Sequence, residues 1–200
     1  MKLYFSPGAC SLASIIALRE SGATFVVERV DLKTKRTEND EDFLDINPKG
    51  YVPALQTAQG LLTENVAVLQ YIADLNAHAK LAPPKDSFER YRLLEWLGYV
   101  SSEIHKSFKP FFMPDADELE KKHAVDKLRQ RLDLVEHSLE RHDFLMGEHF
   151  SVADAYLYTV LTWLPKTGLE LKQWPAIQRY HRRIDERSTV QEARKMEKPR

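Results

Sequence analysis

Two consecutive prolines, Pro83 and Pro84, split this chain into stretches with different hydrophobic rhythms, and one layer of regular structure cannot hold both. Proline has no amide proton and drives the residue before it out of helical geometry, so residues 81–86 read as an extended linker. Upstream, the β-favouring runs Leu3-Tyr4-Phe5 and Thr24-Phe25-Val26-Val27 flank an apolar segment, 12–18, that Gly22 closes. Val52-Pro53-Ala54-Leu55-Gln56 and Leu61-Leu62-Thr63 then form a hairpin around Gly60, and Val66, Leu69, Ile72 and Ala73 recur at helical spacing. The order is β-α-β, a short α, then β-β-α, which a mixed sheet with helices on both faces buries economically.

Downstream the pattern is helical throughout. Asp86-x-x-Glu89 resembles a capping box, and Leu93, Leu97, Val100, Ile104 and Phe108 make one stripe that ends at Pro110 and Pro114. A second helix runs over about 117–141 with Leu128, Leu132, Val135 and Leu139 inward. A third opens at Ser151, whose pairing with Asp154 forms a capping box, and it is apolar almost all round, as the centre of a helical domain must be. Pro175 starts a further helix and residues 189–195 a short last one. The expected organisation is an α/β domain over 1–80, a linker over 81–86 and an all-α domain over 87–200.

Charge excludes several functions. With 29 Lys and Arg against 30 Asp and Glu, the chain has no basic footprint for nucleic acid or an anionic membrane surface. No apolar run reaches membrane-spanning length, and the opening residues break too soon for a signal peptide, so a cytoplasmic protein is expected. One cysteine rules out a disulfide framework, and the histidines lack metal-ligand spacing, so no metal site is expected.

Cys10 stands where the first strand passes into the first helix. A free thiol is about 3% ionised at pH 7, and lowering its pKa by two units takes about 2.7 kcal/mol. A helix N-terminus supplies at most about 2 kcal/mol, so a cation has to assist. The alternative is a buried structural cysteine. Thioredoxin-like folds carry a thiol at this junction, usually in Cys-x-x-Cys, but Ala13 occupies the fourth position here. A disulfide at Cys10 would therefore involve a second molecule, with glutathione the simplest candidate. Val52-Pro53 at the start of the third strand fits a cis peptide that leaves the Val52 backbone free to pair with a bound peptide.

Thr63-Glu64-Asn65 opens a helix whose free amides suit a carboxylate while Glu64 suits an ammonium, the two groups at the γ-glutamyl end of glutathione; an ordinary acidic first turn is the alternative. Lys35 can meet a terminal carboxylate, or belong to a solvated charged loop. At α-helical spacing Gly98, Ser102, His105 and Lys106 share a stripe in which small residues leave room and His105 and Lys106 add donors and charge. A solvated or structural histidine is the competing use.

Five segments in order, Ser-Pro-Gly-Ala-Cys-Ser at 6–11, Asn-Pro-Lys-Gly-Tyr-Val-Pro-Ala-Leu at 47–55, Thr-Glu-Asn-Val-Ala-Val-Leu-Gln-Tyr-Ile-Ala-Asp at 63–74, Glu-Ile-His-Lys at 103–106 and Ser-Val-Ala-Asp-Ala-Tyr at 151–156, resemble bacterial beta-class glutathione transferases. The resemblance spans essentially the whole chain. It implies a thioredoxin-like glutathione domain followed by a helical domain, a two-fold homodimer, glutathione as co-substrate with no tightly bound cofactor, and small apolar electrophiles entering between the domains. It makes Cys10 the cysteine at the glutathione sulfur and, with His105, a catalytic residue. Val52, Pro53 (cis), Glu64, Asn65 and Lys35 would bind glutathione, with Gly98, Ser102, Glu103 and Lys106 completing the site. This chain departs from the family pattern at Ser6, at Gly98 and in the order Tyr4-Phe5. Strand alternation sends Tyr4 and Phe5 to opposite faces, which leaves Tyr4 and Ser11 as competing donors to the sulfur.

The implied reaction is conjugation of glutathione to an electrophile. Its rivals are thiol-disulfide exchange or peroxide reduction through a Cys10 mixed disulfide, and a non-catalytic ligand carrier or regulatory partner.

Overall fold

The computed structural model describes residues 1–198, which divide into two compact units: 1–82 together with the chain from 187 onward, and 83–186.

The first unit is built on a five-stranded sheet ordered β3-β2-β1-β4-β5, with β1 Lys2–Phe5, β2 Val26–Asp31, β3 Arg36–Thr37, β4 Ala54–Thr57 and β5 Gly60–Thr63. β1 runs parallel to β2 and antiparallel to β4, so the residues leaving β1 emerge from the middle of the sheet. Strand alternation turns Tyr4, Val30 and Ala54 onto Phe43 of the short helix α2, Phe43–Ile46. Leu3, Phe5 and Leu55 face the other way and are also buried. α1, Ser11–Ser21, packs against β1, α3, Asn65–Leu75, and α8, Ser188–Met196. That enclosure explains why nine of the eleven α1 residues are buried and why the helix has no polar face. Gly22 ends it at φ +69, the left-handed geometry that favours glycine.

Three features differ from the sequence expectations. β3 arises within a charged stretch, where Arg36 and Thr37 pair with Asp31 and Val30; two residues are too few to show a period. α8 packs on α1 of the first unit rather than belonging to the helical unit, held by Arg187 reaching both Glu20 carboxylate oxygens at 2.7 and 2.8 Å. The helix after the linker is capped by Ser87, whose hydroxyl accepts the Arg90 amide, and not by Asp86 one residue earlier.

In the second unit, α4 is Phe88–Tyr99, α5 Glu118–Leu139, α6 Val152–Leu161 and α7 Pro175–Asp185. All ten residues of α6 are buried, and Asp154 organises its start. Asp154 accepts the Ser151 amide and hydroxyl, the Leu145 amide and the Tyr180 hydroxyl. Glu136 of α5 accepts the amides of Ala176 and Ile177 at the start of α7, an anion at a helix N-terminus. The expected continuous stripe from Leu93 to Phe108 changes pitch: α4 ends at Tyr99, Val100–Ile104 form a π turn and His105–Phe112 a 3₁₀ segment. Val100, Ile104 and Phe108 stay fully buried, because one wide turn keeps residues 100 and 104 on nearly the same face. Ser102 and Ser107 donate back to the carbonyls of Gly98 and Glu103, bonds that favour such distortion.

Candidate functional site

In the first unit, the path from β1 to α1 is a tight turn over residues 6–9. Ala9 N–H donates to Ser6 O at 3.1 Å, with Pro7 at the second position and Gly8 at the third with φ +71, the type II arrangement. The turn delivers Cys10 to the N-cap of α1, where its thiol donates to Val52 O at 3.5 Å. The Val52–Pro53 peptide is cis, and among the described residues the Val52 N–H has no partner.

The charge state of Cys10 runs against simple activation. Burial pushes its thiol up to about 12, and the Glu64 carboxylate adds to the rise. The cation that would have to assist the helix N-terminus is missing from the influences on this thiol, so Cys10 is a neutral donor at pH 7.

Around it, Asn65 accepts from Ser14 at 2.9 Å and donates to Cys10 O at 3.4 Å, so its side chain ties the starts of α1 and α3 together. Its backbone amide, at the start of α3, is the group left to face a ligand. Glu64 sits at φ +68, a left-handed conformation that side chains seldom adopt. Its carboxylate meets Lys49 Nζ at 2.7 Å, and Lys49 also reaches Thr63 Oγ1 at 3.0 Å. Lys35 Nζ donates to Gly50 O at 2.8 Å and lies 5.2 Å from the Tyr51 ring centre, two residues before Val52.

Two expected sulfur donors are committed elsewhere. Ser11 is fully buried, and its hydroxyl donates to Ser6 O and accepts Ser6 N–H, closing the base of the turn. Tyr4 packs on Phe43 at 5.7 Å and its hydroxyl bonds Lys2, so it serves the core and the far end of β1.

In the second unit, the π turn scatters residues that ideal helical spacing would align. Gly98, Ser102 and Lys106 are exposed, and a Cβ at Gly98 would meet nothing within 4 Å. Glu103 turns to α5, where it bonds Arg131 at 2.8 Å and pairs with Lys127 at 3.3 Å; these cations hold its carboxyl below the usual range and occupy the group expected at the ligand. His105 turns inward, with Nδ1 2.7 Å from the Tyr156 hydroxyl and its ring 4.9 Å from Trp163. Burial, with help from Lys106, pushes its pKa down to about 4. His105 therefore offers a hydrogen bond at neutral pH but no charge. Phe108 and Phe112 meet the same Trp163 edge-to-face at 5.5 and 5.2 Å, and Phe112 remains half exposed.

Sequence reasoning missed Ser14, Lys49 and Tyr156. Lys49 and Tyr156 lie inside recognisable motifs, but nothing in the one-dimensional pattern says which way they turn.

Two family models match the chain, the glutathione S-transferase N-terminal domain over residues 1–74 and the glutathione S-transferase C-terminal domain over residues 99–188. The chain is 45% identical over 194 residues to glutathione S-transferase GstA of Escherichia coli O157:H7, covering 96% of each protein. Among solved structures it resembles the glutathione S-transferase of a sphingomonad complexed with glutathione, at TM-score 0.96, 46% identity and 98% of each chain. It is also similar to a bacterial beta-class glutathione S-transferase from Sphingomonas chungbukensis, at TM-score 0.95, 44% identity and 98% of each chain.

Proposed function

The chain belongs to the glutathione S-transferase family, and from that premise we propose that its first unit holds glutathione with the sulfur at Cys10 and that the enzyme joins this sulfur to small apolar electrophiles. The observation that carries the reading is the meeting, at 3.5 Å, of the Cys10 thiol and the Val52 carbonyl beside the start of α3. A sulfur, a peptide edge and a carboxylate with free helix amides are the three features that a γ-glutamyl-cysteinyl peptide requires.

Glu64 takes the ligand's ammonium, the amides at the start of α3 its α-carboxylate, and Lys35 its glycine carboxylate. Val52 offers its N–H and carbonyl to the cysteinyl peptide group. Cys10, protonated, donates a hydrogen bond to the glutathione thiolate, which lowers that sulfur's proton affinity without any charge on Cys10. The glutathione sulfur then attacks the electrophile. A sulfur–carbon bond forms, the leaving group departs with the electron pair of the bond it breaks, and the thiol proton is released to solvent. Exchange through a Cys10 mixed disulfide requires Cys10 itself as a thiolate, and its raised pKa speaks against that route. The aromatic group around Trp163 gives the second unit the apolar character that such acceptors need, and His105 contributes there as a neutral hydrogen-bonding group.

The protein is proposed to act in the cytoplasm as a two-fold homodimer. No helix among the described residues is long and apolar enough to cross a membrane, and Tyr51, Phe88 and Tyr91 expose 65–71% of their surface, apolar area that a second copy can cover.

Calorimetric titration with glutathione, followed by conjugation of 1-chloro-2,4-dinitrobenzene on the same sample, tests the reading. Saturable binding and turnover are expected. Glu64→Gln should weaken glutathione binding by about tenfold, the loss of one charge-assisted bond. Absence of binding in the unaltered protein would sink the proposal.

A further inference from the structure

The C-terminal end of the chain reaches the turn that carries Cys10. Gly8 N–H donates to Glu197 Oε1 at 3.0 Å, across 189 residues of sequence. The surrounding ties are independent of that carboxylate. Arg29 donates to the backbone carbonyls of Glu197 and Lys198 at 3.2 and 3.0 Å, Arg19 touches Met196 Sδ at 3.4 Å, and Arg187 grips Glu20. We infer that Glu197 is a positioning residue for the sulfur site, fixing the turn at residues 6–9 by accepting the Gly8 amide.

The physical reason lies in how β-turns move. Both ends of this turn are already held, by the Ala9-to-Ser6 bond and by the Ser11 hydroxyl on both polar groups of Ser6. The freedom left is rotation of the middle peptide, between Pro7 and Gly8, which interconverts type I and type II turns. Glycine at position 8 tolerates either state, so its identity does not select one. The N–H of that same middle peptide is the one Glu197 accepts. Rotating the peptide would swing this donor away and redirect Ala9 and Cys10, which follow directly. The carboxyl is well placed to hold it: Arg29 of β2 and Arg194 of α8 favour its charged form, although partial burial raises its pKa. Because four other contacts keep α8 docked, removing the Glu197 carboxylate should release the turn and leave the helix in place.

The test compares Glu197→Met, which keeps the bulk but cannot accept the amide, with Glu197→Gln, whose side-chain oxygen can. The glutathione arm rests on the function proposed above; the second arm, alkylation of Cys10 by iodoacetamide, does not. Glu197→Met should raise KM for glutathione about tenfold while kcat stays within about twofold, and should speed alkylation of Cys10 by about threefold or more. Glu197→Gln should recover both values, and melting temperatures of all three proteins should agree closely. If Glu197→Met matches the unaltered protein in both arms, or if Glu197→Gln fails as badly as Glu197→Met, the inference is overturned. Should the unaltered protein not bind glutathione at all, the functional reading falls and the alkylation arm alone decides the role of Glu197.

Discussion

Replacing His105 by Gln should remove a large part of the protein's sensitivity to mild acid. In the folded chain burial holds the His105 pKa at about 4, against an ordinary value of 6.5. Between these values the unfolded chain binds a proton that the folded chain refuses, so stability falls as the pH drops from 6.5 toward 4. At pH 5 the unfolded imidazole is almost fully charged and the folded one almost fully neutral, which costs the native state about 2 kcal/mol relative to pH 7. Below pH 4 the loss levels off near 3 kcal/mol. Glutamine keeps a polar end for Tyr156 but has nothing to titrate. Urea unfolding of both proteins at pH 7 and pH 5, followed in the helical signal, gives a double difference in which titration of the other groups cancels. The expected double difference is about 2 kcal/mol, the unaltered protein losing more, or about 4–8 °C in melting temperature for a chain of this size. Lys106→Gln removes a neighbouring cation and should shrink the acid loss slightly. A double difference below about 0.5 kcal/mol would show that His105 titrates normally, and the neutral role given to it would be wrong.

Cys10 should react slowly with iodoacetamide at pH 7, about a hundredfold below a free thiol once the greater nucleophilicity of a high-pKa thiolate is counted, and the rate should keep rising above pH 9; a plateau below pH 8 would contradict a raised pKa. Cys10→Ala should retain measurable conjugation of 1-chloro-2,4-dinitrobenzene, whereas total loss with glutathione binding intact would restore the covalent route. Asp154→Ala strands two amides and two hydroxyls in the buried start of α6, and should cost about 3–5 kcal/mol in chemical denaturation; a cost under about 1 kcal/mol would mean that water replaces the carboxylate freely.

The parts of the fold legible in the sequence are those governed by local rules. Gly22 had to end α1 because the following backbone turns left-handed, and the capping pair Ser151 and Asp154 identifies α6 because it needs only three residues' separation. The π turn at 100–104 defeats the same reasoning. A 3.6-residue template places Gly98, Ser102, His105 and Lys106 together, yet one widened turn sends His105 to Tyr156 and Glu103 to Arg131 while the other three stay in solvent. α8 shows a similar limit: Val190 and Ala193 announce an apolar face, but nothing in their spacing says that the face belongs on α1.

The site was legible as a set of residue types and obscure as a set of charge states. Position at a helix N-terminus argues for a thiolate at Cys10, but that influence is worth at most about 2 kcal/mol and decays within a turn, whereas desolvation of a buried ion costs several. Enclosure therefore decides the outcome, and enclosure comes from chain segments far apart in sequence: Val52 meets the thiol, Asn65 holds the Cys10 carbonyl, and Glu197 holds the turn before it. The same reasoning governs His105, where burial overrides the intrinsic pKa. Both residues marked from the sequence as catalytic are thus neutral hydrogen-bonding groups at pH 7. That arrangement suits a site whose anion arrives with the substrate: a resident thiolate at Cys10 would repel the glutathione thiolate, while a neutral thiol can donate to it.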